Sequence, residues 1–482
     1  MTSSRSLLKS EDWMSLWLGL VIFALSMGLL AGADLLGWAV KTNVWTSFTQ
    51  IMEPVSKGYA GLGGLGSLLL TFLFLLVIMT VAARGLEANV RRFASGFVVI
   101  FAASYLCWVA GHFAYVAATP DKLEKLGISW SLNLTGEAGY ILALLAGLVV
   151  GNFLPRTATR IAEATKPELY IKTAIVIMGA GLGVKAVEAL SLASAVIFRG
   201  LCAIVEAYLI YWAVVYLVAR KYFGFSREWA APLASGISIC GVSAAIATGG
   251  AIRARPVVPI MVSSLVVIFA VVELVLLPFA AQVFLYKEPM VAGAWMGLAV
   301  KTDGAAVASG AITDSLVRAK ALAVMGVEWK EGWILMATTT VKVFIDIFIG
   351  VWAFILAILW CTVIERKPGE KVRVGEIWER FPKFVLGYVG TFAATLALCM
   401  AFPHLVGAAK AASGEANVFR QLFFAMTFFT IGVVSNFRKL WEEGIGRLAA
   451  IYAICLFGFI IWVGLLISWI FFHGVTPPVV GG

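Results

Sequence analysis

Runs of mostly apolar residues, each long enough to cross a lipid bilayer as a helix, recur from one end of this sequence to the other. A span needs about 20 such residues. Thirteen stretches qualify, at roughly 13–31, 62–82, 96–117, 138–154, 169–187, 193–219, 229–252, 257–283, 291–311, 332–362, 382–402, 420–440 and 447–472. The expected fold is an all-α polytopic membrane protein with about 13 transmembrane helices. Composition agrees, because only 13% of the 482 residues are charged, against roughly 25% in soluble chains. The net charge of +10 is not gathered into a stripe or arm, so no nucleic-acid partner is expected. The six cysteines form no CxxC or Cys/His pairing and the three histidines lie far apart, which argues against a disulfide framework, a metal site or another cofactor. Trp13–Leu30 reads as a retained first span rather than a cleaved leader.

Basic residues orient the spans. With the N-terminus inside, Lys and Arg favour the inner connections by about two to one. The inner set includes Arg84, Arg91 and Arg92, Arg156, Arg160 and Lys166, Arg220, Lys221 and Arg227, Lys287, the run from Arg366 to Lys383, and Arg438, Lys439 and Arg447. Arg253 and Arg255 fall outside on this count. The expected arrangement has a cytoplasmic N-terminus and a periplasmic C-terminus.

The last ten segments divide into two sets of five. Segment 4 carries Gly147-Leu-Val-Val-Gly-Asn152 and segment 9 carries Gly297-Leu-Ala-Val-Lys-Thr302. Segment 5 starts near Lys172 and reaches Gly179, and segment 10 carries Lys342 and reaches Gly350. Segment 7 is rich in small residues, and segment 12 holds Gly432, Ser435 and Asn436. An odd number of spans per unit inverts the second unit, the inverted repeat of many secondary transporters. The expected organisation is a three-helix extension at 1–137, one repeat at 138–290 and a second at 291–482.

Three segments carry chemistry. Ala234–Ala251 contains Gly236, Gly241, Gly249 and Gly250, each costing about 1 kcal/mol of helix stability relative to Ala. A helix broken there would point free N–H groups and a positive dipole end into a polar gap, which suits an anion. Ser238, Gly241, Ser243 and Thr248 are the candidate contacts, with Gly432, Ser435 and Asn436 as counterparts. Small residues also simply allow close helix packing, and both readings stand. Lys301, Thr302 and Asp303 sit in an otherwise apolar stretch, where a charge costs about 2.5–3.5 kcal/mol on insertion scales. They are candidates for substrate binding (Lys301, Thr302) and for the ion pathway (Asp303), or they form a local pair. Lys342 and Asp346 share a helix face four residues apart and read as an ion pair or as coupling residues. Glu206 and Glu273 are lone membrane carboxylates whose role the sequence leaves open.

In order and spacing, Gly147–Asn152, the Ser235-Gly-Ile-Ser-Ile-Cys-Gly-Val-Ser-Ala-Ala-Ile-Ala-Thr248 element, Gly297–Gly310 and Ala425–Leu440 resemble the bacterial sulfate exporter family. That family is similar in turn to the cation/proton antiporter and bile-acid symporter superfamily. The likeness covers about residues 138–472. It implies two inverted five-helix repeats, discontinuous segments 7 and 12 crossing near the midplane, elevator-type motion, a homodimer, and a bacterial inner-membrane location. It also implies transport of a small anion, sulfate or an organosulfonate, with Na+ or H+ as a possible coupling ion. Two departures stand out: Lys301-Thr302 replaces the His-Glu of that family, and most of the material before residue 138 is additional.

The expected function is therefore a secondary active transporter of a small anion by alternating access, with lipid as its other partner. The alternative is a sodium- or proton-coupled cation antiporter or organic-anion symporter. A membrane-embedded enzyme is disfavoured, because the polar residues lie in mid-span and the loops lack Asp- or His-rich motifs.

Overall fold

The computed structural model describes residues 10–118, 122–132, 134, 136, 138–191, 205–330, 332–365, 383–434 and 445–479. Among them, nine helices are long and apolar enough to cross a membrane, or ten if one bent pair counts as a single span. A two-stranded antiparallel ribbon, Val40–Thr42 against Met52–Pro54, joins the first two. In chain order the principal helices are α1 (Glu11–Met27), α2 (Gly63–Gly85), α3 (Val90–Gly111), α4 (Ala138–Phe153) and α5 (Pro167–Ser191). There follow α6 (Arg227–Ser238), α7 (Gly241–Ala251), α8 (Val257–Phe284), α9 (Pro289–Ala299), α10 (Asp303–Met325) and α11 (Trp333–Ile347). The set closes with α12 (Ile349–Leu359), α13 (Lys383–Ala401), α14 (Val406–Val434), α15 (Ile445–Cys455) and α16 (Ile461–Phe472).

The chain forms two compact units, each drawn from separated stretches. The first takes Met1–Ala118, Thr135–Val187 and Lys383–Lys439. Its helices lie close because small residues face one another. A Cβ added to Gly147 of α4 would strike the Phe429 carbonyl of α14, and one on Gly432 would strike the Leu144 carbonyl. Such backbone approach is how helices gain packing contact in lipid. Thr391 of α13 donates to the Val176 carbonyl of α5 at 2.8 Å. At one end, Lys166 pairs with Glu11 at 2.9 Å, and Lys172 with Asp12 at 2.9 Å and Glu168 at 2.8 Å. The start of α1 and the start of α5 therefore share that end.

The second unit takes Thr119–Leu134, Glu188–Pro382 and Leu440–Gly482. Two sequence segments that read as spans are instead helical hairpins. In the first, α6 and α7 run antiparallel. Glu228 pairs with Arg255 at 3.1 Å, Ala231 packs with Ile252, and Thr248 donates to the Ser235 hydroxyl at 2.6 Å. Residues 228 and 255 would stand some 40 Å apart on one straight helix. The turn falls at Ile239 and Cys240, where the backbone leaves the helical region, and Gly241 has φ +30°. In the second hairpin, Thr338 of α11 touches both arms. It donates to the Gly293 carbonyl at 2.7 Å, and a Cβ on Gly310 would lie 2.6 Å from its hydroxyl. That turn falls at Val300–Thr302, with extended Val300 and with Thr302 capping α10 by accepting from the Ala305 N–H at 3.2 Å.

Helix α8 shows how the hairpins are disposed. Along it, Pro259 meets Gly249, Val262 meets Gly236, and Val266 meets Gly241; further on, Glu273 meets Lys301, and Leu274 meets Ile312. The order runs from the base of the first hairpin to its tip, then to the second tip and toward the second base. Helices α11 and α12 repeat the order in reverse, from Ile334 beside Gly293 to Leu356 and Trp360 beside Ala231 and Ile252. The hairpins enter from opposite ends and meet midway.

Three expectations change. Segments 7 and 9 are re-entrant hairpins, so Arg253 and Arg255 lie at the same end as Glu228, not across from it. Conversely, Glu288, next to Lys287, meets the C-terminal stretch at His473, 3.0 Å away. The break expected in segment 12 is absent as far as it is described: α14 is continuous from Val406 to Val434, Gly432 included, while Ser435 and Asn436 lie outside the described residues. The second break is in segment 9, which the five-plus-five pairing does not match with segment 7. Segment 4 is a short helix, after which the chain turns by 110°.

Two measurements test this architecture. Gly432→Leu should destabilise the protein by about 1–3 kcal/mol through overpacking against α4, read as a lowered melting temperature. Gly390→Leu, which meets open space, should stay within about 0.5 kcal/mol of the parent. In a background without other cysteines, the pair Glu228→Cys and Arg255→Cys should join through a short bis-maleimide within one chain. An impermeant thiol reagent should reach both from one side, and labelling from opposite sides would show a through-going span.

Candidate functional site

The two tips meet around Lys342. Its ammonium donates to the Ile239 carbonyl at 2.9 Å and to the Lys301 carbonyl at 3.3 Å, and it stands 4.0 Å from Asp346 Oδ1. Those carbonyls close the C-terminal ends of α6 and α9, where a helix leaves unpaired acceptors and a partial negative charge. A buried cation between the two ends satisfies both. The tips also touch directly, since a Cβ on Gly241 would lie 3.1 Å from the Lys301 carbonyl and 3.2 Å from Thr302 Cγ2. Glycine is required there by that crowding and by its positive φ.

The same junction brings two helix N-termini together. Helix α10 begins at Asp303 and is capped by Thr302, while α7 begins at Gly241 with no side-chain cap on its first N–H groups. Ser243 lies buried in the first turn of α7, and Ser238 lies buried just before the turn, its hydroxyl without a partner among the described residues. N–H groups and positive dipole ends from two directions make a place for negative charge.

Ser238, Gly241, Ser243, Lys301, Thr302, Asp303, Lys342 and Asp346 therefore belong to one region of the second unit. Thr248 does not reach the tip. It stands seven residues up α7, roughly 10 Å away, and its hydroxyl holds the hairpin arms together through Ser235. Gly432 belongs to the first unit, packed on α4. Lys301 contributes to the junction through its backbone. Its ammonium turns back to the Leu298 carbonyl and sits 4.6 Å from the centre of the Tyr211 ring, a cation–π contact.

Two carboxylates join this region. Glu273 of α8 accepts from the Lys301 N–H at 3.2 Å, and Glu206 lies within electrostatic reach of Lys301 beside Tyr211. Both are fully buried. The cost of burying a carboxylate marks them in the sequence, but nothing there shows that they share a partner. The tyrosines carry no sequence signal at all: Tyr211 donates to the Ile460 carbonyl at 2.9 Å and Tyr208 to the Ile345 carbonyl at 2.5 Å. Among the described residues, no group of three or more His, Cys, Asp or Glu is placed to hold a metal ion.

The family described as Conserved hypothetical protein 698 matches residues 131–451, which contain both hairpins. A UPF0324 membrane protein of Nitrosomonas europaea is 44% identical over 475 residues, 98% of this chain and 97% of its own length. A UPF0324 membrane protein of Rhodopirellula baltica is 28% identical over 426 residues, 86% of this chain and 68% of that protein. No solved structure matches the chain. With its repeated membrane-crossing helices and near full-length similarity to these proteins, the chain is a multi-pass membrane protein belonging to the UPF0324 membrane protein family.

Proposed function

We propose that this protein is a secondary active transporter of a small anion, and that the substrate binds where the two hairpin tips meet. One observation carries the reading: a single buried ammonium, Lys342, holds the carbonyl ends of two hairpins that arrive from opposite ends of the unit. Either tip can withdraw toward its own side without unthreading a span, which is a route to alternating access. The N-termini of α7 and α10 favour an anion, with Ser238 and Ser243 as hydroxyl ligands. Sulfate or an organosulfonate is proposed from the likeness to the sulfate exporter family. The same likeness supports an elevator-type cycle, a homodimer and the bacterial inner membrane. An ion-coupled carrier is the second reading, favoured by the Asp346 carboxylate beside Lys342. No enzymatic role is proposed.

The orientation proposed is N-terminus cytoplasmic and C-terminus periplasmic. Folding segment 7 into a hairpin places Arg253 and Arg255 with Arg227 and its neighbours Arg220 and Lys221, at one end of the second unit. Arg447 joins them through the Phe223 carbonyl. Lys287 moves to the opposite end, beside the C-terminal stretch, so the positive-inside bias of this unit strengthens.

A thermal-shift screen of the purified protein tests the substrate class, using sulfate, sulfite, taurine, sulfoacetate and simple carboxylates with and without sodium. A binding anion at a hundred times its dissociation constant should stabilise by about 2.7 kcal/mol. A sodium-dependent shift without any anion-dependent one would sink the anion reading. Lys342→Met should abolish the anion shift. It should also lower stability by about 1–3 kcal/mol for each tip carbonyl left without a donor.

A further inference from the structure

We propose that Glu206 and Glu273, which flank Lys301 at the second hairpin tip, form a proton-binding site whose occupancy changes as that tip moves. The role in coupling rests on the transporter reading, whereas the proton site stands on geometry alone. Lys301 ties the two carboxylates to the tip: its N–H donates to Glu273 Oε2 at 3.2 Å, and its ammonium is the cation that both carboxylates face. Neither carboxylate is exposed. Both oxygens of Glu206 and Oε1 of Glu273 lack any hydrogen-bond partner among the described residues.

Charge balance favours a proton here. Among the described side chains around the second tip stand two lysines, Lys301 and Lys342, and three carboxylates, Glu206, Glu273 and Asp346. Fully ionised, they leave one negative charge in excess, before Asp303 at the start of α10 is added. Lys342 is shared among Asp346, the tip carbonyls and Glu273, and Lys301 is shared between Glu206 and Glu273, so two cations serve three carboxylates. An ionised carboxylate has about four acceptor sites to satisfy, and burying it without donors is costly. Among the described residues, no side chain on the other faces donates a hydrogen bond to Glu206 or to Glu273 Oε1. Tyr208 and Tyr211 lie on the same segment as Glu206, and each donates its hydroxyl proton to a backbone carbonyl. Tyr452 of α15 faces Glu273 with its ring stacked on Phe269 at 4.4 Å, and its hydroxyl, which has no partner among the described residues, is the one neighbouring donor not committed elsewhere.

Tyr211 gives the sharper point. Its hydroxyl and Glu206 Oε1 approach one spot, 2.8 and 3.7 Å from where a Cβ on Gly464 would stand. With its own proton on the Ile460 carbonyl, the Tyr211 oxygen is free to accept from Glu206. A protonated Glu206 can donate to that oxygen while the Ile460 bond stays in place, whereas an ionised one would have to draw the Tyr211 proton away from Ile460. The step is a plain transfer: hydronium gives its proton to a carboxylate oxygen, an O–H bond forms, and water leaves. No electrons change hands. When the tip withdraws, Glu273 loses the Lys301 N–H and both carboxylates lose the Lys301 ammonium, Glu273 keeping only Lys342 on α11, so proton affinity rises. Return of the tip lowers it.

Infrared difference spectroscopy of the protein in lipid vesicles, titrated through neutral pH, tests this without any transported substrate. A protonated carboxylic acid shows a carbonyl stretch separate from the carboxylate bands. The wild-type protein should show such a band rising as pH falls. Glu206→Gln and Glu273→Gln should each remove or shift it, while Asp314→Asn should leave it in place. Lys301→Met should move its midpoint to higher pH, an effect a merely structural lysine would not produce. Absence of a pH-dependent band in the wild type, or its persistence in both Gln variants, would overturn the proposal. So would loss of the band at constant pH when sodium replaces choline, which would mark a cation site instead. Anion binding by thermal shift is read separately, so failure of either inference leaves the other testable.

Discussion

The structure of the second unit turns on one ammonium group. Lys342 sits on α11 and satisfies the carbonyls of Ile239 and Lys301 at once. In lipid a re-entrant helix end has no water to donate to its unpaired carbonyls, and two such ends carry partial charges of the same sign. They meet only because a cation lies between them. Around that contact the rest is arranged by spacing along a rigid element: Val266 and Glu273 on α8, seven residues and about 10 Å apart, address one tip each. The N-termini of α7 and α10 follow automatically, since each begins where its hairpin turns.

Much of this was legible in the sequence, and the limits have physical causes. The apolar runs, Lys301 and Lys342 were readable because lipid makes length and buried charge expensive. The turn at Ser238–Gly241 was readable because Gly, Ser and Cys weaken a helix. What could not be read was whether the chain continues or doubles back after the break. A span of some 24 residues and the first hairpin, with arms of 12 and 11 residues, have about the same length, the same apolar content and the same 3.6-residue period. Only long-range pairs such as Glu228 with Arg255 separate them. That ambiguity misplaced Arg253, Arg255 and Lys287.

Segment 12 shows a second limit. Gly432 is as small as Gly241 and lies in an equally apolar run, yet it remains inside a continuous helix. The difference is in the neighbours. Gly432 faces the Leu144 carbonyl and the backbone of Gly147, so removing its side chain lets α4 and α14 touch. Gly241 has positive φ and precedes uncapped N–H groups. Glycine serves close approach in one place and a turn in the other, and the residue type alone does not distinguish them.

Energies set how the proposed cycle can run. Withdrawing one tip breaks one bond from the Lys342 ammonium; hydrogen bonds to a charged group contribute roughly 1.5–3 kcal/mol each. A ligand with a millimolar dissociation constant supplies about 4 kcal/mol, enough to offset such a loss but not several. The second tip faces a larger barrier than the first, because leaving also parts Lys301 from Glu273 and Glu206. The two proposed gates would therefore be unequal: both part the Lys342 contact and the Gly241 contact with the other tip, and the second would answer as well to the charge on the carboxylates. In the proposed carrier one gate would be set by substrate and one by substrate and proton together, so the asymmetry of the tips, rather than any single residue, would couple the cycle to protons, while the gradients set its direction.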